Sequence, residues 1–359
     1  IPIYSVAASY MADDSTGYLR VSRFAEDTAE EVERSINKLK AKGMKNLILD
    51  LEDNGGGYLG AAVELASKFL SKGDPVVFTK GLHSQPAYFN LDDDGEFRDM
   101  KVVVMVNQYS ASASEILSGA IQDNDRGLIV GRRTFGKGLV QRPFPFPDGS
   151  MIRLTTARYY TPSGRSIQKH YDKGQGEEYM LDLLNRYKSG ELWSADSIKL
   201  DESLRYETLR NHRPVYGGGG ILPDVFVPVD TTYFSAYYRD LVAKGVVNQF
   251  CLNYVDANRA QLLKDYPDED AFSSSFAVTD GLERQLIDAG EKEGVEFDDE
   301  QWQRSRPYVL ALIRGLIARD LYEDSSVFRF LNPLLPEYQE ALKLINTPDR
   351  YDALLRGKK

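Results

Sequence analysis

The sequence predicts an α/β fold with a mostly parallel sheet, preceded by a β-hairpin and followed by an all-helical region. Two observations carry this prediction. Short and almost continuously apolar segments, "NLILDL" at 46–51 and "KVVVMVN" at 101–107, alternate with amphipathic helical patterns, as in parallel sheets that helices cover on both faces. Beyond Asp230 the periodicity is helical only, as in "FSAYYRDLVAKG" and "RPYVLALIRGLIARDLY".

The first elements have clear local signals. Residues 1–24 contain two alternating segments around the turn-rich "ADDSTG", which predicts a β-hairpin that leads into the core. Thr28 begins a helix with acidic residues in its first turn, and Gly43 ends it. The strand at 46–51 then runs into the glycine-rich "DNGGG", a second helix and the strand "PVVFTKG".

The middle of the chain continues this alternation and is then interrupted. A helix begins after Ser112, "GLIVG" is a further strand, and "PDGS" joins two strands. Residues 165–215 are polar and charged and predict an insertion that leaves the sheet. The predicted organisation is a lead-in at 1–24, a core at 25–230 that contains the insertion, and a helical domain at 231–359.

Composition excludes several classes of function. The net charge is −10, the pI is near 5.1 and no Lys/Arg cluster forms a basic face, so we expect no nucleic-acid partner. The single cysteine, Cys251, excludes an internal disulfide framework and a cysteine-based zinc site, and its apolar surroundings predict a buried thiol. The four glycines at 217–220 lack the Lys-Ser/Thr of a P-loop. We expect no metal and no organic cofactor.

Three serines occupy alternate positions in "SASASEIL", residues 110–117, at the mouth of a predicted helix. A catalytic serine needs a base within hydrogen-bond reach and donors for the oxyanion that forms on attack. The histidines that could serve lie in a polar loop and in the charged insertion, which predicts no Ser-His-Asp triad. They are His83, His170 and His212.

Lys137 is the alternative base. A lysine accepts a proton at neutral pH only where burial or positive potential disfavours its charged form. Most lysines of the chain lie in helical charge patterns, whereas Lys137 lies between Gly136 and Gly138, close to Phe135 and Leu139. The competing interpretation is a solvated loop lysine.

The segment "SASASEILSGAIQDNDRGLIVGRRTFGKGLVQ" resembles the signature of the C-terminal processing (tail-specific) proteases, family S41 of the serine peptidases. The resemblance implies that Ser112 is the nucleophile, Lys137 the general base and Gln141 the residue that orients the lysine. The spacings agree with the family pattern, since 137 − 112 = 25 and 141 − 137 = 4. The resemblance also implies a ClpP/crotonase-like catalytic core.

A second segment extends this resemblance. "LILDLEDNGGGYL" is similar to the family's D-L-R-x-N-x-G-G loop, which implies an oxyanion hole made by the amide of Gly56 or Gly57 together with that of Ala113. Glu52 and Asp53 depart from the family's arginine and asparagine. We expect them to be solvated loop carboxylates, or else groups that change the local potential or substrate preference.

The serine motif also fits a purely structural role. Ser112 with Glu115 three residues later forms a capping-box pattern, so Glu115 is predicted as a cap rather than a catalytic acid. A helix N-terminus also favours an oxyanion, so the two roles of Ser112 are compatible. Ser110 and Ser114 are predicted to be structural.

The resemblance implies a serine endopeptidase that hydrolyses peptide bonds near the C-termini of protein substrates through an acyl-enzyme. It is strongest to Bacteroidetes-type members with a long insertion and a helical extension, and it implies a periplasmic or cell-envelope location. Family members capture tails with a PDZ domain, which this chain lacks, so we expect that domain either upstream of this piece or not at all. The opening "IPIYSVAASYM" has neither an initiator methionine nor a signal peptide, which predicts a piece of a longer protein. Two alternatives remain, a non-catalytic peptide-binding scaffold and a serine hydrolase that acts on esters. The sequence does not indicate an oligomeric state.

Overall fold

A computed structural model describes residues 3–169 and 176–358. Its strands, in chain order, are β1 (Val6–Met11), β2 (Thr16–Val21), β3 (Asn46–Asp50), β4 (Pro75–Lys80), β5 (Ala87–Asn90), β6 (Lys101–Val106), β7 (Leu128–Gly131), β8 (Leu139–Pro145), β9 (Met151–Tyr160), β10 (Arg205–Glu207), β11 (Pro214–Tyr216) and β12 (Val225–Phe226). Its α-helices are α1 (Thr28–Ala41), α2 (Leu59–Ser67), α3 (Ala113–Asp123), α4 (Gly176–Lys188), α5 (Ala236–Ala243), α6 (Val246–Asp265), α7 (Glu269–Ser275), α8 (Asp280–Lys292), α9 (Asp299–Leu321), α10 (Ser326–Leu331), α11 (Pro336–Ile345) and α12 (Pro348–Leu355).

The larger sheet has the strand order β1-β2-β3-β6-β7-β12. Only the β1–β2 pair is antiparallel, and the four remaining pairs are parallel. The predicted α/β class with a mostly parallel sheet is therefore confirmed. The predicted lead-in hairpin is present as β1–β2, and it belongs to this sheet because β2 pairs directly with β3.

The centre of this sheet is buried on both faces, which is why its strands are almost continuously apolar. On one face Leu47 and Val104 belong to a core cluster with Ile36 of α1 and Leu117 of α3. On the opposite face Ile48 is also fully buried. Because β3 and β6 are parallel neighbours, the loops that follow them begin at the same edge of the sheet.

A smaller antiparallel sheet has the order β5-β4-β9-β8. Its β8 and β9 are the two strands predicted on either side of "PDGS", and their register shifts between Val140 and Gln141. Residues 141–155 of this ribbon are exposed. The strand β8 begins two residues after Lys137, so this ribbon carries Gln141 away from the buried core.

The predicted insertion contains α4 and the two-stranded β10–β11 sheet. Ion pairs that are almost fully buried attach its ends to the last residue of α3 and to the turn that follows. Arg165 pairs with Asp123 at 2.7 Å, and Arg213 pairs with Asp125 at 2.7 Å. Paired and hydrogen-bonded charges are the form in which such groups are retained in an interior.

The chain divides into two compact units. The first comprises the described residues up to Pro228 and those from Glu340 onward, and the second is Val229–Gln339. The predicted domain boundaries at 24 and 230 stay predictions, with one difference at the end of the chain. The final helix belongs to the first unit, where the Tyr351 hydroxyl donates to the Val102 carbonyl at 3.0 Å.

The second unit is helical, as the periodicity beyond residue 230 predicts. Its core includes Cys251, Val309 and Ile313, all fully buried. The buried thiol was predicted from its apolar neighbours, and burial raises the pKa of Cys251 to about 12. Within the described residues, no helix combines the length and the apolar composition that crossing a bilayer requires.

Candidate active site

Asn54 connects the chain segments that form the site. Its side-chain amide donates to the Val21 carbonyl at the end of β2 at 2.7 Å, and its Oδ1 accepts from the Gly56 amide at 2.8 Å. Its backbone carbonyl accepts from the Ala111 amide at 3.0 Å and from the Ser114 hydroxyl at 2.8 Å. The end of β2, the glycine loop and the serine loop therefore meet at one fully buried asparagine.

Two of the three serines have structural partners, as predicted. The Ser110 hydroxyl donates to the Leu51 carbonyl at 2.7 Å and accepts from the Asn107 amide at 2.9 Å. Ser114 is fully buried and donates to Asn54. Neither hydroxyl is available for chemistry on a substrate, because each is buried and bonded to backbone.

Ser112 is different. It is half-buried and has φ +58° and ψ −112°, a left-handed backbone conformation that non-glycine residues rarely adopt. The helix α3 begins at the next residue, and the predicted capping box is present. Strain of this kind costs about 1–3 kcal/mol and persists where surrounding contacts hold it, often at functional sites. Here the bonds of Asn54 to Ala111 and Ser114 hold the residues on both sides.

The glycine loop lies directly against Ser112. A methyl group at Gly56 would lie 2.7 Å from the Ser112 Cβ and 2.8 Å from the Ala113 nitrogen, so only glycine permits this approach. The Gly56 N–H already donates to Asn54. In the described part of the chain, the amides of Gly57 and Ala113 have no hydrogen-bond acceptor.

Phe24 holds the glycine loop from the other side. Its amide donates to the Gly56 carbonyl at 3.1 Å, and its carbonyl accepts from the Tyr58 amide at 3.0 Å. A methyl group at Gly57 would lie 2.0 Å from the Phe24 carbonyl oxygen. The predicted lead-in therefore contributes directly to the backbone geometry of the loop that follows β3.

Glu115 joins the serine to the loop that carries Lys137. Its Oε2 accepts from the amides of Ser112 and Lys137, both at 2.8 Å. Its Oε1 accepts from the Gly136 amide and the Thr134 hydroxyl, both at 2.6 Å. The Thr134 oxygen in turn accepts from the Ile221 amide at 2.7 Å, which leaves its proton for Glu115.

The four partners of Glu115 are all donors, an arrangement that suits a carboxylate. Burial raises the pKa of the Glu115 carboxyl, while its four hydrogen bonds act in the opposite direction. The sequence predicted this residue only as a cap. Its bonds to the residues at 134–137 are a second role, and no local pattern around Glu115 indicates them.

The side chains of Lys137 and Gln141 are exposed. Among residues 3–169 and 176–358, no hydrogen bond joins the Lys137 ammonium to Ser112 or to Gln141. Glu115 thus links the backbones of Ser112 and Lys137, without a hydrogen bond between their side chains. The Phe135 ring, which the sequence places close to Lys137, lies 4.1 Å from the Nζ of the buried Lys169.

The charges around the glycine loop are paired. Glu52 is buried and lies 3.9 Å from the Arg132 guanidinium, so the expectation of a solvated carboxylate is wrong for this residue. Asp53 keeps an exposed side chain, which pairs with Arg20 at 3.0 Å. A carboxylate at position 52 thus has a buried arginine partner, which compensates its charge.

The histidines do not form a triad within the described residues. His83 is exposed, and His212 is exposed beside Glu207, at 3.4 Å. His170 lies outside the described residues. In the same described part of the chain, no three side chains of His, Cys, Asp or Glu are grouped so that they could hold a metal ion.

Comparison with known families agrees with this geometry. Residues 15–174, which contain the glycine loop, Ser112, Glu115 and Lys137, match the model of peptidase family S41. This part of the chain is therefore similar to an S41 peptidase domain. Residues 237–323, in the second unit, match a family of unknown function, DUF8443.

The relatives of the S41 domain cover only part of the chain. A carboxyl-terminal-processing protease of Picosynechococcus is 40% identical over 157 residues, 44% of this chain and 37% of that protein. A carboxy-terminal-processing protease of Bartonella bacilliformis is 41% identical over 168 residues, 45% of this chain and 38% of that protein. The solved photosystem II D1 C-terminal processing protease has 34% identity and a TM-score of 0.42, and the match covers 47% of this chain and 46% of that one. The chain therefore spans less than half the length of these relatives.

Proposed function

We propose that the protein is a serine endopeptidase that cleaves peptide bonds near the C-termini of protein substrates. The observation that carries this proposal is Ser112, held at a positive φ at a helix N-terminus, beside the Ala113 amide and the glycine loop. In this proposal Ser112 is the nucleophile, Lys137 is the general base and Gln141 orients it. The amides of Ala113 and Gly57 bind the oxyanion, since that of Gly56 is occupied by Asn54.

The chemistry proceeds in two steps. The Ser112 oxygen attacks the peptide carbonyl as Lys137 accepts its proton, and the negative charge develops on the carbonyl oxygen near the two amides and the N-terminus of α3. Lys137 then returns the proton to the leaving amine, which produces an acyl-enzyme. In the second step Lys137 takes a proton from water as the water oxygen attacks the acyl carbonyl. The bond to Ser112 then breaks, and Lys137 returns the proton to the Ser112 oxygen, which releases the acid and restores both residues.

The base must move before this reaction. No hydrogen bond joins the Lys137 ammonium to Ser112, although Glu115 already fixes both backbones. Catalytic contacts are often incomplete without substrate, and a lysine side chain reaches a new position by rotation about its own bonds. A bound substrate would also exclude water from around the exposed Lys137.

The substrate and the location are proposed from the similarity to S41 peptidases. The named relatives are carboxyl-terminal-processing proteases, so the substrate would be an extended protein tail, added as a strand along a sheet edge. An upstream PDZ domain would capture that tail, and the enzyme would work in the periplasm or cell envelope.

The test is cleavage of a panel of C-terminal peptides, read by mass spectrometry, together with labelling of the serine by a fluorophosphonate probe. We expect Ser112→Ala to abolish both signals, with a loss of stability of about 1 kcal/mol from the helix cap. Lys137→Ala and Lys137→Arg should each lower kcat by roughly 10⁴-fold or more. Alanine has no basic group, and the guanidinium of arginine does not give up its proton. Lys72→Ala, at another exposed lysine, is the matched control and should behave as wild type.

Other results would reject the proposal in distinct ways. Peptide cleavage by Ser112→Ala at the wild-type rate would remove this residue from the mechanism. Turnover of activated esters without peptide cleavage would identify an esterase. Tight peptide binding with neither activity would identify a scaffold.

A further inference from the structure

The insertion contacts the loop that carries Lys137 through a buried arginine. Arg186 of α4 has only 4% of its side chain exposed. Its Nη1 donates to the Thr134 carbonyl at 3.1 Å, its Nη2 donates to the Arg133 carbonyl, and its Nε donates to the Glu191 carboxylate at 2.9 Å. One guanidinium from the insertion therefore satisfies two consecutive carbonyls just before Lys137.

Glu191 completes this arrangement. Its two oxygens accept from the Nε and Nη2 of Arg133, each at 2.6 Å, in a bidentate pair. The Glu191 carboxylate thus binds the side chains of both Arg133 and Arg186. Arg186 in turn donates to the backbone carbonyl of Arg133. Two arginines share one carboxylate, and planar bidentate pairs of this kind fix orientation as well as charge.

The insertion makes a second contact with this loop, between Lys169 and Phe135. The ammonium of Lys169 lies 4.1 Å from the centre of the Phe135 ring and 3.2 Å from the Asp182 carboxylate on α4. The amide of Phe135 donates to the Ser110 carbonyl at 2.9 Å. The loop residues at 133–135 are therefore held by the insertion on their carbonyl and side-chain groups.

Glu115 holds the backbone amides that follow in the same loop, since its carboxylate accepts from those of Gly136 and Lys137. The loop has a glycine on each side of Lys137, and Gly136 has φ +85°. Glycines leave the backbone free to adopt several conformations. Glu115 restrains the amides at 136–137, and the carbonyls before them are restrained by Arg186.

We propose that Arg186 is a positioning residue for Lys137, and that the insertion sets the orientation of the general base. Glu191 orients Arg186 in turn. This inference rests on the proposed function, because it assigns the insertion a part in the same reaction. In this proposal the role of Arg186 is indirect. It acts by holding the carbonyls of residues 133 and 134, and so the backbone that leads into Lys137.

The test is a double-mutant cycle between Arg186 and Lys137 on a short peptide substrate. A misplacement of about 1 Å can cost on the order of 100-fold in rate, so we expect Arg186→Ala to lower kcat by about that factor with little change in KM. In the Lys137→Ala background the same substitution should lower the residual kcat less than about threefold, because the residue to be positioned is already gone. Arg186→Lys retains the charge but not the fork of donors, and we expect a loss of about tenfold.

Arg126 provides the matched control. It is a largely buried arginine that donates to backbone carbonyls, those of Phe69 at 2.7 Å and Phe97 at 2.8 Å. It lies beyond the C-terminal end of α3, roughly 16 Å along the helix from Ser112 for 11 residues at 1.5 Å each. Arg126→Ala should lower the melting temperature without a selective loss of kcat.

The outcomes are separable. If Arg186→Ala lowers kcat equally in both backgrounds, or raises KM instead of lowering kcat, the positioning role is wrong. If Arg186→Ala does not fold, the cycle is read from Arg186→Lys, for which full activity would equally overturn the inference. A Lys137→Ala variant with wild-type activity would reject the proposed function itself, before Arg186 is considered.

Discussion

The substitution Glu115→Gln tests the central contact of the site with the smallest change in shape. The carboxylate accepts four hydrogen bonds, from the amides of Ser112, Gly136 and Lys137 and from the Thr134 hydroxyl. An amide keeps one acceptor oxygen and replaces the other by an NH₂ group. The side chain is fully buried, so water does not supply the missing acceptor.

The magnitude follows from counting donors. In one orientation the new NH₂ group opposes the Gly136 amide, and in the other it opposes those of Ser112 and Lys137. A buried donor left without an acceptor costs about 1–3 kcal/mol, and the remaining bonds lose the strengthening that a charged acceptor gives. We expect the free energy of unfolding of the first unit to fall by about 2–4 kcal/mol, out of a total that is typically about 5–15 kcal/mol.

The assay separates stability from activity. In a Trp302→Phe background Trp193 is the only tryptophan, and it lies in the first unit, so its fluorescence in urea reports on that unit. Peptidase activity of the protein that remains folded should fall by roughly 100-fold, because the backbones of Ser112 and Lys137 are no longer coupled. Glu96→Gln is the control, since Glu96 is exposed and its pair with Lys40, at 3.8 Å, is worth at most about 1 kcal/mol. A Glu115→Gln protein with wild-type stability and turnover would refute the reasoning.

Two further predictions concern the glycine loop and the second unit. A methyl group at Gly56 would lie 2.8 Å from the Ala113 nitrogen, whereas one at Gly55 meets nothing within 4 Å. Peptidase activity should therefore fall by about 10²–10³-fold in Gly56→Ala and stay unchanged in the control Gly55→Ala. Equal losses in the two variants would contradict this. Since burial raises the pKa of Cys251 from 9.0 to about 12, the folded state keeps its proton where the unfolded state loses it. The free energy of unfolding of the second unit, measured in urea, should therefore fall by about 1.4 kcal/mol per pH unit from about pH 9 to pH 12, relative to Cys251→Ala. If the free energies of the two proteins instead depend on pH in the same way, the thiol is not buried as described.

Much of the fold could be predicted because it depends on local patterns. The continuous apolar strands at 46–51 and 101–107 require burial on both faces, and the helix that begins after Ser112 has its cap in the adjacent residues. The motif at 110–141 likewise predicts Ser112 and Lys137 as nucleophile and base by residue type and spacing. These features depend on residues that are close together in the chain, so the sequence alone carries them.

Tertiary structure decided which groups meet. The amide of Gly56 is occupied by Asn54, and the ring of Phe135 lies against Lys169. Glu115 accepts from amides 21 and 22 residues away, and Arg186 donates to carbonyls more than 50 residues earlier in the chain. A buried polar group must find a partner, but many residues of suitable type could serve, and only the packing of the sheet, the helix and the insertion selects among them.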